Sequence, residues 1–519
     1  MPGLPKPSRF LSLILLLPLV GLAHGNSLED LDDYIEAGMA DWGIPGLAVA
    51  VIHEDEVIYA RGFGVRKQGE SARVDENTLF GVASTTKAMT AAALAMLVDE
   101  DKLGWDDRVI DHMPEFRLSD PWVTREVRVR DLLTHRVGVG RMTGNRLQFM
   151  NYSPRPRIIH QMRYAEFEQP FRSSYVYSNV MYSVAGELIP AITGQSWDDF
   201  LQTRLFQALG MEDSNTSITA IADGDNAAWP HQEIDGEVVT IPRRNFDNVG
   251  PAASVNSSVN DMAQWMRLQL GEPGVYGGER LISETQMRET HQPQIAIGRD
   301  DHQSPIHAYG LGWSLGEYRG YSIAQHGGAS DGMNTQLIMV PELELGVVIV
   351  SNTFNNFRMA LANTIIDRMA GLEEKDWHDE YLSSHQEDKA EAQERRDEIH
   401  AARQSGTRPS VSLPGYTGQY YDPLYRDVEV FSPGEGRLAL RFWGDDRHIA
   451  DLEHWHHDTF RAVWRNPARR EKFVHFTLDD EGRPDTLHVQ FTLRPDLLQV
   501  GIYPTGYYRK VAFERQDQD

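Results

Sequence analysis

Residues 80–87 contain a serine and a lysine at a spacing that can support nucleophilic catalysis. Ser84 and Lys87 are three residues apart and precede an apolar, helix-forming run over residues 88–98. If a helix begins near Ser84, the hydroxyl and the amine lie on one face, one turn apart. Burial lowers the pKa of an amine, so Lys87 could accept the serine proton. Free N–H groups at the helix start would favour an oxyanion beside Ser84.

The Ser-x-x-Lys spacing by itself leaves a second interpretation open, because a chain of this length contains such a match by chance. In that interpretation Ser84 only caps a helix, and Lys87 extends from the first turn towards solvent. Residues elsewhere in the chain have to distinguish the two.

A tyrosine and two polar residues form the next group of candidates. Tyr177 and Asn179 lie in a predicted loop before a helix over residues 181–193. From such a loop the phenol can relay a proton and the amide can hold a carbonyl or the lysine amine. Alone, the pair would be interpreted as a core tyrosine and a helix cap. His135 is a candidate base, but a structural hydrogen bond is the favoured interpretation for it.

Residues 328–332 match the Gly-x-Ser-x-Gly pattern of a nucleophile elbow, with Ser330 as the serine. That elbow requires a strand before the serine and a helix after it. Residues 333–340 are predicted to form a strand instead. We therefore place Ser330 in a hairpin turn and reject it as the nucleophile.

Hydrophobic periodicity predicts the elements that must position these residues. Residues 373–403 are charged and predict a solvated connecting helix, whereas residues 142–172 show no clean period and are expected to form a lid or wall over a cleft. After the linker, short alternating strands predict an all-β domain, either a small barrel or a curled antiparallel sheet. The predicted helices of the first domain cover residues 28–39, 84–98, 181–193, 197–209, 259–270 and 359–369, and its strands residues 47–52, 57–60, 313–315, 322–326, 335–340 and 346–351.

The first 25 residues have the pattern of a cleavable signal peptide. Lys6 and Arg9 precede an apolar run over residues 10–23, which is short for a membrane span. We therefore predict a periplasmic or secreted protein with no stable membrane span after signal removal. The predicted domains are residues 26–372, a linker over residues 373–411 and a β-domain over residues 412–519.

Composition excludes several classes of function. The chain has no cysteine, which removes cysteine nucleophiles, thiolate metal sites and disulfides. Its net charge of −26 repels phosphate backbones, so no nucleic-acid partner is expected. The cluster His454-Trp455-His456-His457 suggests a metal site, but no carboxylate pattern accompanies it, and we assign no metal.

Taken together, the motifs resemble those of the serine β-lactamase and penicillin-binding-protein superfamily, specifically the class C β-lactamase-like branch with its esterases and D-amino-acid peptidases. The resemblance covers about residues 28–370, and the C-terminal residues look like an accessory β-domain often appended to this branch. Its markers are residues 80–87, 132–135, 177–179, 194–196, 209–211, 250–254, 309–313 and 326–328.

The resemblance implies an α+β fold, with a helical cluster beside an antiparallel sheet and the cleft between them. Ser84 would form an acyl-enzyme, Lys87 would accept its proton, and Tyr177 would assist acylation and activate the hydrolytic water. The backbone N–H groups of Ser84 and Ala329 would form the oxyanion hole. No cofactor is implied. The substrate-binding positions carried over are Asn179, His326, Gly328 and Ala329.

Two departures from the family pattern affect the expected substrate. His326 occupies the place where many relatives have lysine, and a histidine is largely neutral at pH 7. It would face a substrate carboxylate from the edge strand less reliably than lysine does. This favours a peptidase or esterase over a dedicated β-lactamase. Residues 171–174 also lack the Pro-Gly pair common before the tyrosine motif.

The expected partner is a small molecule or peptide with an acyl group, and a homo-oligomer is left open. Two alternatives on the same fold are a non-catalytic protein that binds peptidoglycan or a protein partner, and an acyltransferase.

Overall fold

The computed structural model describes residues 28–140, 143–150, 153–297, 307–469, 471–492 and 508–516. The predicted signal peptide lies outside these residues. Within them, no helix has the length and apolar character needed to cross a membrane.

An antiparallel sheet forms the centre of the first domain, and eight of its strands lie in the described residues. Side chains of Gly46–His53 alternate between two cores: Val49 and Val51 face one, and Ala48 and Ala50 face the other. Both faces of the sheet are therefore covered by helices. In order across the sheet the strands are Glu56–Gly64, Gly46–His53, Leu345–Ser351, Met333–Val340, Tyr321–Ser330, Ser314–Tyr318, Ala308–Tyr309 and Ile295–Ala296.

The terminal helices of the domain, Leu31–Trp42 and Phe357–Ala370, pack on one face of the sheet. The other face carries Val259–Gln269 and the helical cluster. Helix prediction was accurate for the long elements, but the helix predicted over residues 197–209 contains a wider turn at Gln202–Phe206. The remaining helices of the described chain are Thr86–Asp99, Val109–His112, Pro121–Glu126, Val129–Leu133, Arg155–Gln161, Asn179–Thr193, Trp197–Leu201, Gln207–Leu209, Gly250–Ala253 and Glu284–Thr290.

The helix Thr86–Asp99, called the serine helix below, lies at the centre of the cluster. It is rich in alanine and other strong helix formers, and every residue from Thr86 to Leu97 is buried. Small side chains allow neighbouring elements to approach closely. An alanine at Gly312 would place its Cβ only 2.7 Å from the Cα of Ala88, so the chain before Trp313 can lie against this helix only with glycine there.

The C-terminal residues form a closed antiparallel barrel with eight described strands. Closure comes from pairing of Tyr420 and Tyr421 with Arg515 and Glu514. The predicted all-β domain is thus a barrel, filled by alternating apolar side chains. Its strands are Gly418–Asp422, Arg426–Phe431, Leu438–Phe442, Ile449–His456, Thr459–Trp464, Lys472–Leu478, Pro484–Thr492 and Tyr508–Arg515.

A 25-residue helix, Trp377–Ala401, connects the two domains and has no buried residue, as its charged sequence predicted. The barrel also contacts the first domain directly, at residues 143 and 161. The Tyr425 hydroxyl donates to the carbonyl of Thr143 (2.6 Å), and the Gln161 amide donates to the carbonyl of Pro423 (2.8 Å). The fold class expected from the sequence, an α+β domain followed by a β-barrel, is confirmed.

Candidate active site

Ser84 lies in a single 3-10 turn, Ala83–Thr85, immediately before the serine helix. The predicted helix start is therefore shifted by two residues. Ala83 has φ of 48°, a left-handed conformation that costs a non-glycine residue about 1–3 kcal/mol. Such strain persists only where the surroundings impose it, which is common at functional sites.

Lys87 lies one turn after Ser84 and is completely buried. Its amine donates to Ser84 Oγ (3.1 Å) and to the carbonyl of Ala252 (2.9 Å). No carboxylate of the described residues pairs with it, and burial holds the pKa of Lys87 well below its usual range. Burial therefore shifts Lys87 towards the neutral amine that a base requires, and the interpretation of Lys87 as a solvent-exposed surface residue does not hold.

Tyr177 completes a three-residue arrangement around the serine hydroxyl. Its own hydroxyl donates to Ser84 Oγ at 2.8 Å. The Lys87 amine lies 4.7 Å from the centre of the Tyr177 ring, where the aromatic face stabilises a positive charge. The structure therefore brings Ser84, Lys87 and Tyr177 together, as the sequence predicted.

His135 does not contact the serine. Its Nδ1 accepts the backbone N–H of Ser178 (2.9 Å), and its ring packs 4.3 Å from the Tyr177 ring. This agrees with the structural hydrogen bond favoured from the sequence. The histidine holds the loop that carries Tyr177.

Gly328 brings the strand Tyr321–Ser330 against the segment that precedes Ser84. A Cβ at this position would lie 2.2 Å from the carbonyl oxygen of Val82, so only glycine fits. Ala329 is the next residue on that strand. The expected oxyanion position therefore lies between the serine turn and the strand.

The strand of His326 differs from the expected edge strand, because it is internal to the sheet and pairs with Ser314–Tyr318 up to Gln325. Beyond Gln325 it pairs only with Met333–Val340, which leaves its other side open towards the serine turn. Ser330 lies at the end of this strand, before a turn into the next one. The elbow interpretation of Ser330 is thus excluded by local structure.

His326 makes hydrogen bonds within the protein through both of its ring nitrogens. Its Nδ1 lies 2.7 Å from the carbonyl of Gly327 and its Nε2 lies 2.9 Å from the Tyr309 hydroxyl, so both ring nitrogens have protein partners. Burial is the main cause that lowers the pKa of His326, to about 3. Substrate binding by His326 therefore remains a prediction, as it does for Asn179.

Asn179 is the first residue of its helix, and its amide donates to Gln148 Oε1 (2.9 Å) rather than contacting Lys87. Its Oδ1 is buried and has no hydrogen-bond partner among the described residues. Asn145 binds the backbone on both sides, at Tyr177 O (3.1 Å) and Asn179 N (2.7 Å). Substrate binding by Asn179 remains a prediction.

The sequence did not identify the groups that make hydrogen bonds to the site residues and to the Tyr177 loop. The Ala252 carbonyl accepts a hydrogen bond from Lys87, and the Tyr309 hydroxyl is hydrogen-bonded to His326. In the sequence, both residues are identified only as parts of motifs. Asn145 and Gln148 lie in the segment without periodicity, where no local signal identified them. That segment forms a wall beside the Tyr177 loop through these two side chains.

The histidines of the barrel make ordinary contacts. His454 Nε2 lies 2.9 Å from the carbonyl of His457, and His457 Nε2 lies 2.9 Å from Gln404 Oε1. In the part of the chain that the structure describes, no three metal-ligating side chains are grouped.

Comparison with known proteins places these features in context. Residues 31–370 match the family model described as beta-lactamase, and residues 402–501 match a domain of unknown function, DUF3471. The chain is 28% identical to the unguisins hydrolase of Aspergillus campestris over 498 residues, which covers 90% of this chain and 87% of that protein.

A second relative and one solved structure are also similar to this chain. Penicillin-binding protein 4 of Amycolatopsis lactamdurans is 27% identical over 341 residues, covering 63% of this chain and 87% of its own. The octameric penicillin-binding protein homologue from Pyrococcus abyssi has a similar fold, with a TM-score of 0.60 at 19% identity, covering 89% of this chain and 97% of its own.

Proposed function

Because its residues 31–370 make this chain a member of the β-lactamase family, we propose that it is an exported serine hydrolase that cleaves an amide or ester bond through a Ser84 acyl-enzyme. Relatives named as hydrolases support the general class. The observation that carries the proposal is that Ser84 Oγ receives hydrogen bonds from both Lys87 and Tyr177. Export rests on residues 1–25, which lie outside the described residues.

In the proposed reaction, the neutral Lys87 amine takes the proton of Ser84 as its oxygen attacks the substrate carbonyl. The resulting oxyanion is held by the N–H groups of Ser84 and Ala329, an interaction worth about 3–4 kcal/mol in comparable sites. Collapse breaks the bond to the leaving group, which takes a proton from Tyr177, and the phenolate regains one from Lys87. Water then attacks the acyl-enzyme while Tyr177 passes its proton to the neutral Lys87 amine and takes one from the water. Collapse of the second oxyanion expels Ser84 Oγ, which regains a proton from Tyr177 as Lys87 returns one to the phenolate, and the acid is released.

The neutral, bonded state of His326 supports a peptidase or esterase over a dedicated β-lactamase. A penicillin carries a carboxylate that needs a positive partner, and His326 does not supply one. Esters and amides without a carboxylate at that position make no such demand.

Labelling with a fluorophosphonate tests the nucleophile. We expect intact-mass analysis to show one adduct, with peptide mapping at Ser84, and Ser84→Ala to abolish it while Ser330→Ala retains it. Labelling of Ser330, or none at all on the folded protein, would exclude the proposed acyl-enzyme. The same mass analysis with esters, D-aminoacyl amides and β-lactams then ranks the substrate classes by adduct formation.

A further inference from the structure

In the proposed reaction Lys87 becomes an ammonium when it takes the proton of Ser84, and its surroundings oppose that charge. The side chain is completely buried, and no carboxylate of the described residues forms an ion pair with it. Lys87 is also the second residue of the serine helix, where the positive end of the helix dipole disfavours a cation. A buried ammonium without a counter-ion is costly, so groups that stabilise it would lower the barrier to acylation.

Among the described residues, the titratable side chains that face Lys87 supply no negative charge. The Tyr177 and Tyr182 rings lie beside its amine, and His326 is near enough for the charge of Lys87 to act on it. Burial raises the pKa of Tyr182 well above its usual range, and burial is the main cause that lowers the pKa of His326 to about 3. The Tyr177 hydroxyl donates to Ser84 Oγ and is therefore also protonated. None of the three can act as a counter-ion.

Two aromatic faces are directed at the amine instead. Lys87 Nζ lies 4.7 Å from the centre of the Tyr177 ring and 5.4 Å from the centre of the Tyr182 ring. The electron-rich face of a tyrosine attracts a cation, most strongly where water is excluded. The Tyr177 ring cannot be tested separately, because its hydroxyl takes part in the proposed proton transfer. Tyr182 has no such role, so its ring can be tested by itself.

The Tyr182 ring is fixed in place from its far side. Tyr182 is completely buried in the helix Asn179–Thr193, and its hydroxyl donates to the carbonyl of Leu133 (2.6 Å). Leu133 ends a short helix, where the last carbonyls lack partners within the helix. The His135 ring packs 5.2 Å from the Tyr182 ring. These contacts occupy the hydroxyl and leave the ring as the part of Tyr182 that faces Lys87.

We propose that Tyr182 is a positioning residue for acylation, whose ring face stabilises the Lys87 ammonium and so keeps the lysine basic enough to accept the Ser84 proton. The inference rests on the proposed function, because it concerns the same proton transfer. In that step the proton moves from Ser84 Oγ to Lys87 Nζ as Oγ bonds to the substrate carbonyl. The ring itself exchanges neither a proton nor an electron pair.

The pH dependence of acylation in Tyr182→Leu tests this role. The kcat/KM for p-nitrophenyl valerate reports the pKa values of the free enzyme, and its acidic limb reflects protonation of Lys87 in the proposed reaction. Loss of the ring destabilises the ammonium, so we expect the limb to move about one pH unit lower and the plateau to fall by about tenfold. Tyr182→Phe keeps the ring and loses only the bond to Leu133, so its limb should not move.

Ring fluorination tests the same role without a change of fold. A trifluorinated phenylalanine at position 182 keeps the size of the ring, but its fluorines withdraw electron density from the face that attracts a cation. We expect its acidic limb to lie below that of Tyr182→Phe. Equal limbs in these two proteins would overturn the inference, even if Tyr182→Leu failed to fold.

Phe200→Leu is the matched control for the loss of a buried aromatic side chain. Phe200 lies in the same core and is 2% exposed, but its ring is not one of the two that face Lys87. The acidic limb should stay in place in this variant. The same downward shift in Phe200→Leu would show a general effect of core packing. An upward shift in Tyr182→Leu, as water entering the site would produce, would also overturn the inference.

Fluorophosphonate labelling of Ser84 distinguishes this inference from the proposed function. If wild-type Ser84 is labelled and Tyr182→Leu leaves the acidic limb of the labelling rate unmoved, the role of Tyr182 is refuted and the hydrolase proposal stands. If Ser84 of the wild-type protein reacts with neither the fluorophosphonate nor the ester, both are refuted.

Discussion

At the scale of single residues, the proposed chemistry depends on a lysine that is buried without a counter-ion. Lys87 is held by Ser84 Oγ and the Ala252 carbonyl, and both can accept from a neutral amine. A carboxylate partner would raise its pKa and keep it protonated. Desolvation instead lowers its pKa, which shifts Lys87 towards the neutral amine that a base requires.

Replacement of Lys87 and Tyr177 tests whether the two act as one unit. We expect Lys87→Gln and Tyr177→Phe each to lower kcat for p-nitrophenyl valerate by about 10²–10⁴-fold, the usual contribution of proton transfer. The double variant should be little worse than either, because the groups share one proton path. Lys67→Gln, which removes an exposed ion pair with Glu70, is the control. Fully multiplicative losses on folded variants would argue against a shared path.

At the scale of elements, the site depends on how closely the strand Tyr321–Ser330 approaches the serine turn. Gly328 meets the Val82 carbonyl, and Gly312 brings a second segment against Ala88. Thus glycine and alanine, rather than any charged group, set the distance between the nucleophile and the expected oxyanion position.

Gly328→Ala should therefore reduce catalysis more than stability. Its Cβ would collide with backbone at Val82, so the strand or the serine turn must shift, and a displacement near 1 Å can cost about 10²-fold in rate. Gly327→Ala is the matched control, because its Cβ would meet Gln336 at an ordinary 3.5 Å. The measurement is kcat with the valerate ester, alongside thermal unfolding. Equal kcat in the two variants would contradict the assigned role.

At the scale of the whole molecule, the barrel supports the domain that contains Ser84. Tyr425 donates to the Thr143 carbonyl, at the start of the wall segment that contains Asn145 and Gln148. Those two side chains hold the loop of Tyr177 and Asn179. Contacts from the barrel thus continue to the loop that carries the proposed acid.

Stability of the whole molecule should decrease in mild acid, partly through His326. This histidine is 7% exposed, and its pKa is about 3 when folded against 6.5 when unfolded. Between these values the unfolded chain binds the additional proton. The free energy of unfolding therefore falls by about 1.4 kcal/mol per pH unit as the pH drops from 6.5 towards 3, and this contribution is absent above 6.5.

His326→Gln removes that contribution. Urea unfolding at pH 6.5 and 5.0 should show a loss about 2 kcal/mol smaller in the variant than in the wild type, whatever its absolute stability. His160→Gln, at an exposed position, should leave the difference between the two pH values unchanged. An unaltered difference in His326→Gln would show that the ring is already accessible to protons in the fold.

Local pattern was sufficient to predict most of the helices and strands, and the ordered set of motifs indicated the three candidate catalytic residues. A run of helix-forming residues predicted the serine helix, and alternating apolar residues predicted the strands near its cleft. The roles of Ser84, Lys87 and Tyr177 followed from motifs shared with a known family. These features depend on neighbours in the chain, so a single sequence contains them. The same reasoning identified the charged linker and the β-domain, but not whether its sheet closed.

Only tertiary packing decided the hydrogen-bond partners of His326 and Asn179 and the contacts that the barrel makes with the first domain. The hydrogen bond between Tyr309 and His326 joins residues 17 positions apart in the chain, and that between Gln148 and Asn179 joins residues 31 positions apart. Arg469 of the barrel contacts the ring of Phe149 in the first domain. Each contact joins segments with no common periodicity. Hydrogen bonding, desolvation and charge at these positions arise only when the fold brings such segments together.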